Sequence, residues 1–403
     1  MKTTTRLIPY PEQRAVEDVA FAQQAVPTRI FAFLMPVWRV QIKATVTEGE
    51  PYDLIDRYLE RGIAEGRLRT AGELAEFFAL DPVLVDRALR FLGAIGHVTV
   101  SGEQLALTDL GDRSVREKVR YVVTRQDRRT LYFDAFASRP LTRSYYDPRA
   151  VTLLEPEAAD GIARGPDWPR FTPLFSRYSF RMEALTELAH HPDRDRYNLP
   201  ARIDDPECLG APDCVFLPVY VVRSVQAGHR VRLFVYTQAG CEADPELTEL
   251  CEQTPEIRSV VEMEEVSARP GFRDKAGKWL EDRGISRYEL TELDGGAWRA
   301  VVPASGFGGD TGLSLSKIGS FTLLHHDILH IWCPDEHVRC QALLDRADAY
   351  LGARGHLNRN NVQAHVTQLA RQLDLGPLGL PDLQHMASNA GKDGLAEQLR
   401  DLI

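Results

Sequence analysis

The 403-residue sequence predicts an α+β fold: a small helical module closed by a hairpin, then a larger domain with a largely antiparallel sheet, then a helical C-terminal tail. Three observations carry this expectation. The composition, 44% hydrophobic and 26% charged, is that of an ordinary folded chain, and at roughly 150 residues per domain the length allows two to three domains. Residues 52–113 place apolar side chains at helical spacing three times and then alternate twice. From residue 214 onward, β-branched and aromatic runs are interleaved with helical segments.

Residues 1–50 read as a helical and extended arm, and residues 51–130 as the module with a basic linker helix. Leu54, Ile55, Tyr58, Leu59 and Ile63 share one helical face. Thr70 stands where an N-cap belongs, and Glu73 three residues on completes a capping box ahead of Leu74, Ala75 and Phe78. Asp81-Pro82 stops that helix and opens the next, with Asp81 as N-cap and Pro82 in the first helical position. Val85, Ala88, Leu89 and Leu92 form its buried face, and Gly93 or Gly96 ends it. Two alternating runs, 97–100 and 104–108, then flank Ser101-Gly102-Glu103 as a hairpin. In the linker helix Arg113, Arg116 and Arg120 recur at i, i+3 and i+7, with Arg125, Arg128 and Arg129 beyond.

Residues 131–355 read as the α+β domain. A helix is expected near 176–190, a hairpin from 214–222 and 231–236, a helix at 244–253 and a strand near 257–262. A helix at 274–284, strands near 286–292, 297–302, 321–326 and 328–332, and a helix at 336–352 follow. Residues 356–403 form the helical tail, broken at 376–381 by Gly-Pro-Leu-Gly-Leu-Pro.

The formal charge of −10 is unevenly placed, about +2 over residues 1–150 and about −12 over the rest. A globally acidic chain is a poor general binder of nucleic acid, so such a role would rest on a local patch in the first third. Within that third, roughly −4 over residues 51–110 is followed by about +4 over 111–130. Acids and glutamines stand where a secretory signal would carry its apolar core, and the most apolar run, 30–38, is far short of the roughly 20 residues a bilayer requires. Six dispersed cysteines without a C-x-x-C pair do not make a secreted disulfide framework. The expectation is a cytoplasmic protein with no membrane partner.

Leu68-Arg-Thr-Ala-Gly-Glu-Leu74-Ala75, the Leu80-Asp-Pro turn, Ala88-Leu-Arg-Phe-Leu92, Gly96 and Leu107-Thr108-Asp-Leu-Gly111 together resemble the winged helix-turn-helix superfamily. The pattern is shared by bacterial winged-helix regulators and by the dimerisation domain of small-molecule O-methyltransferases, and it covers about 60 residues here. The regulator form implies double-stranded DNA as partner: Arg87 and Arg90 facing bases or phosphates, Thr70, Ser101 and Gln104 the backbone, and Arg113, Arg116 and Arg120 extending the track. The methyltransferase form implies a homodimer or other protein contact, followed by a Rossmann-like cofactor domain. Residues 130–330 contain no Gly-rich strand-to-helix turn of that kind, so no cofactor is implied.

Elsewhere the chemistry is sparse. His330-Ile-Trp-Cys333 and His337-Val-Arg-Cys340 repeat H-x-x-C, but the two pairs lie too close for a usual tetrahedral site, and buried thiols packing as small hydrophobes account for them; no metal is expected. His325-His326-Asp327 imitates part of an iron triad and His326–His330 part of a zincin helix, which demand different secondary structures of the same residues. The 304–316 loop is Gly-rich without a Gly-Lys-Ser/Thr ending. No catalytic residue is named, and an enzyme is not the first expectation. The sequence thus points to a winged-helix DNA-associated protein, a transcriptional regulator or nucleoprotein-complex subunit, whose acidic domain senses, dimerises or docks a partner. The competing reading is an enzyme or effector subunit, of bacterial antiviral defence for example, whose winged helix only dimerises and whose site lies near His325, His326 and Asp327.

Overall fold

The structure, a computed structural model, describes residues 7–165, 169–200, 202–226, 230–268, 271–293, 296–308, 312–353 and 358–403, without the side chains of residues 125, 267 and 268. In chain order the first elements are α1 (Glu12–Phe21), β1 (Val26–Glu50), α2 (Leu54–Ala64), α3 (Ala71–Phe78), α4 (Pro82–Ala94), β2 (Val98–Ser101), β3 (Gln104–Leu107), α5 (Asp109–Glu117) and β4 (Arg120–Asp134). There follow α6 (Pro156–Arg164), β5 (Thr172–Pro173), α7 (Glu183–Ala189), β6 (Arg202–Cys208), β7 (Asp213–Gln226), β8 (Arg230–Tyr236), α8 (Pro245–Gln253), α9 (Pro255–Ala268) and α10 (Phe272–Glu281). The last are β9 (Glu289–Glu292), β10 (Trp298–Val301), β11 (Phe321–Leu324), β12 (Asp327–Trp332), α11 (Glu336–Gly352), α12 (Arg359–Gln372), α13 (Leu380–Asn389) and α14 (Asp393–Arg400). This is a mixed α+β chain. No described helix is long and apolar enough to cross a membrane.

Contacts divide the chain into two units. The first comprises residues 36–151 and 177–215. In it the second half of β1 pairs antiparallel with β4, from Val37 opposite Asp134 to Glu50 opposite Arg120, and with β6. Val40, Ile42, Leu131 and Phe133 of this sheet pack against Leu185 and Leu188 of α7. The helices α2, α3 and α4 and the β2–β3 hairpin have a separate core of Leu59, Ile63, Leu74, Val85, Leu92 and Leu105.

Local chemistry sets the boundaries of those helices. The Thr70 hydroxyl accepts from the Glu73 amide at 3.2 Å while the Glu73 carboxylate accepts from the Thr70 amide at 3.0 Å, a complete capping box. Asp81 accepts from the Val83 amide at 2.8 Å, with Pro82 in the first turn. Gly96 follows α4 at φ +79°, the left-handed region that costs glycine nothing. Gly111, in the first turn of α5, is required by proximity: a Cβ there would lie 2.3 Å from the His97 carbonyl oxygen.

The second unit comprises residues 1–35, 152–176 and 216–403. Its sheet pairs β7 with β8, β11 with β12 and β9 with β10 antiparallel, and β10 with β12 parallel. The first half of β1 contributes Arg29 opposite Asp327, and Phe33 pairs parallel with Thr172. One core gathers Leu329, Ile331, Leu343, Val366 and Leu383 from β12 and α11–α13; another gathers Val16, Leu34, Val222 and Tyr236.

Two expected elements differ. Residues 257–262 are helix within α9, not strand. Ile257, Val261 and Glu265 are buried at i, i+4 and i+8, so the helical period outweighs the β-branched Val260-Val261 pair. The linker helix ends at Glu117: Lys118 turns left-handed at φ 58°, and the Tyr121-Val-Val-Thr124 run extends along β1 as part of β4. Arg120, Arg128 and Arg129 therefore lie on a strand.

Candidate functional site

The first candidate surface is that of the three helices and hairpin. Thr70 spends its hydroxyl on the capping box. Ser101 and Gln104 face each other across the hairpin end, both exposed. Arg90 pairs with Asp86 at 2.8 Å one turn earlier on α4, Arg113 with Glu117 at 3.0 Å and Arg116 with Asp112 at 3.1 Å on α5. Arg120 is drawn between Glu50 at 2.6 Å and Asp56 at 3.3 Å, its guanidinium 5.4 Å from the Phe91 ring centroid. Of the five arginines that sequence placed nearest to DNA, Arg87, Arg90, Arg113, Arg116 and Arg120, only Arg87 is an exposed cation with no ion pair among the described residues. Acids one turn away neutralise Arg90, Arg113 and Arg116, and acids of β1 and α2 neutralise Arg120, which removes most of the field that steers a phosphate backbone.

The same surface exposes large apolar side chains. Val83, at the start of α4 where a base-reading side chain would stand, is 74% exposed, Phe77 67% and Leu54 66%. Tyr58, Phe78 and Phe77 touch in series, with ring centroids 6.0 and 5.0 Å apart, and Leu54 lies one turn before Tyr58 on α2. Alanine or a polar residue would serve as well for folding at positions this open, so these side chains add apolar surface that folding itself leaves in water.

The second candidate lies in the other unit, at the turn joining β11 to β12. His325, at φ 62°, and His326 make that turn, and 326–330 is not helical, so no zincin-like helix forms. The His326 Nδ1 donates to the Ile30 carbonyl at 3.0 Å, and burial holds the ring below its ordinary pKa. Asp327 lies 3.4 Å from the Arg29 Nε and 3.9 Å from the Lys275 ammonium; burial pushes its carboxyl up against the pull of those cations. Arg29 also donates to the Glu264 carbonyl at 2.9 Å, and beside it Arg223 pairs with Glu265 at 2.8 Å and donates to the Thr28 hydroxyl at 2.7 Å. Thr28, Arg29, Glu265 and Asp327 of this group line a cavity of about 240 Å³, together with Glu292. Arg29 is the cation of its lining, paired with Asp327, and Glu265 is paired with Arg223, so the cavity can hold a polar group or pass a proton at Asp327; no thiol or serine lines it.

His330, Cys333, His337 and Cys340 are not brought together. His330 and Cys333 are buried at the end of β12, whereas His337 is on α11 beside Gln341. Among the described residues no three His, Cys, Asp or Glu side chains are grouped to hold a metal ion. Of the Gly-rich loop, residues 309–311 lie outside the described residues.

Sequence reasoning passed over the Glu60–His97 pair, and it named Asp327 and His330 without their partners Arg29 and Arg299. A single charge inside an otherwise apolar strand, Arg29 ahead of 30–37 or Arg299 between Trp298 and Ala300, was the available signal. Comparison with family models, curated proteins and solved structures gives no match.

Proposed function

We propose that the α2–α4 and hairpin module is a winged helix that works as a protein-contact module, dimerising this chain, and that it does not read DNA. The observation that carries this is the apolar surface of Leu54, Tyr58, Phe77 and Val83 where a regulator would present cations. The ion pairs of Arg90, Arg113, Arg116 and Arg120 support it by cancelling the basic track. A second copy is the occupant we favour, because a two-fold axis sets the same exposed apolar patch of each copy against the other. The resemblance to a dimerisation domain points the same way. On this reading the larger unit carries the protein's specific task.

Sedimentation of the full chain over about 1–50 μM tests it, a range that brackets the affinity of a modest interface. A dimer is expected, and Phe77→Asp with Val83→Asp should make it a monomer of unchanged circular dichroism. A monomer throughout, or duplex DNA bound at about 50 mM salt with steep salt dependence and lost in Arg87→Ala, overturns the reading and restores the DNA-binding one.

A further inference from the structure

A second cavity in the unit of residues 1–35, 152–176 and 216–403 plays no part in the docking reading. It encloses about 290 Å³. Arg299 of β10, Phe321 of β11, and His330 and Trp332 of β12 line its sheet side; Phe21 at the end of α1 closes one flank and Arg371 near the end of α12 stands at the mouth. The rings adjoin in series: Phe21 and Phe321 are 5.8 Å apart, Phe321 and His330 stack at 4.8 Å, and His330 and Trp332 are 5.7 Å apart. Arg299 and Arg339 both lie over Trp332, at 5.1 and 4.8 Å, which leaves the half-buried Phe21 and the buried Phe321 as the phenyl rings of the lining.

Arg299 has no carboxylate in ion-pair contact among the described residues, although the charge of Asp374 acts on it. Its Nε donates to the His330 Nδ1 at 3.0 Å, so that nitrogen is an acceptor and the imidazole is neutral. Among the described residues the half-buried guanidinium makes no ion pair with a carboxylate. The one acid lining the cavity, Asp374, is exposed and lies 4.0 Å from Arg339. Burial holds the Arg299 pKa below its ordinary value, by more than the charge of Asp374 restores. A half-buried guanidinium that lines a cavity with no carboxylate in contact is the usual counterpart of a carboxylate or phosphate, which it holds by paired hydrogen bonds.

We propose that this cavity binds a small anion carrying a planar ring, with its carboxylate or phosphate held by Arg299 and Arg371 and its ring laid against Phe21 and Phe321. The volume sits at the lower end of the roughly 300–1,000 Å³ of small-molecule sites, which suits one ring system and one anionic group and excludes a dinucleotide. Asp374 at the mouth offers an acceptor to a hydroxyl or amino group of such a ligand. An aromatic carboxylate and a nucleoside monophosphate share this chemistry.

Calorimetric titration of the full chain with AMP, adenosine, indole-3-carboxylate and indole separates the sources. Saturable binding of AMP or of indole-3-carboxylate, with a dissociation constant of about 10–100 μM, is expected, and at least tenfold weaker binding of the matching neutral compound. AMP alone assigns the site to nucleotides, indole-3-carboxylate alone to aromatic acids, and both to the shared chemistry. Arg299→Gln and the exposed Arg371→Gln should each weaken binding about tenfold or more, with the thermal midpoint of Arg371→Gln unchanged. No binding of either anion, or binding that both variants leave intact, overturns the proposal. Because the cavity and the docking surface lie in different units, the oligomeric state can fail its test while this site passes, and the reverse.

Discussion

His97 in one unit and His330 in the other are both buried, 0% and 7% exposed, yet one is charged and the other neutral. Both nitrogens of His97 face acceptors: Nδ1 lies 2.6 Å from the Glu60 carboxylate and Nε2 faces the Tyr121 carbonyl. Two acceptors demand two donors, so His97 is an imidazolium. His330 accepts from Arg299 at its Nδ1 and is neutral. Burial opposes the charged ring in both places. At His97 the hydrogen bonds to Glu60 and Tyr121 outweigh it and raise the pKa, whereas at His330 burial is joined by the charge of Arg299 and lowers the pKa to about 3. Burial sets the cost of charge, and the donor or acceptor opposite each nitrogen decides whether it is met.

The comparison breaks most visibly at Glu60. Its carboxylate, itself buried, holds His97 on one oxygen and the Tyr52 hydroxyl at 2.6 Å on the other. Glu60→Ala leaves a buried imidazole and a hydroxyl without their acceptor, and removing one partner of such a pair costs about 3–5 kcal/mol. Urea unfolding should show a loss of that order, with the module of α2–α4 affected first; a loss below about 1 kcal/mol would mean the pair is not formed.

A smaller effect separates the two histidines by pH. The folded pKa of His97 is raised, so its contribution is complete below the unfolded value of about 6.5 and is lost as pH rises through the folded value. The folded pKa of His330 is lowered to about 3, so between about 6.5 and 3 the unfolded chain binds the extra proton and stability falls as pH falls. The penalty of His97→Gln should therefore shrink as pH rises above about 6.5, and that of His330→Gln as pH falls below it. Stability of the parent and both variants, measured across that range, checks this; penalties with the same slope would refute the assignment of charge.

How much of this was legible in the sequence differs between the units. The helix starts at Thr70 and Asp81 and the hairpin about Gly102 were readable because each is encoded within about four residues by capping or turn chemistry. The long β1 was not. Its apolar run of 30–38 carries no period because Ile30–Val37 is buried on both faces, and its partners β4, β6, β5 and β12 come from 80 to 300 residues away. The arginine stripe was legible as composition but only partly as charge: Glu117 and Asp112 stand within a turn of Arg113 and Arg116, but Glu50 is brought to Arg120 by strand pairing and Asp56 by the packing of α2. The Arg299 cavity assembles residues from positions 21 to 374, and no local spacing announces that.

The finest test acts on Arg299 alone. Arg299→Gln removes a full positive charge beside His330 while leaving an amide that still donates a hydrogen bond. Burial is the larger cause of the depressed His330 pKa and the guanidinium the lesser, so the ring should titrate higher in the variant yet remain below 6.5. Proton-detected titration of the histidine ring reads this directly. A value restored to 6.5 would make the cation, not burial, the controlling influence, and an unmoved value would mean that the two groups do not sense each other. An anion seated on Arg299 neutralises the same charge from outside. The shift it induces at His330 should match the variant's in sign, tying the occupancy of the cavity to the one buried ring whose protonation the cavity controls.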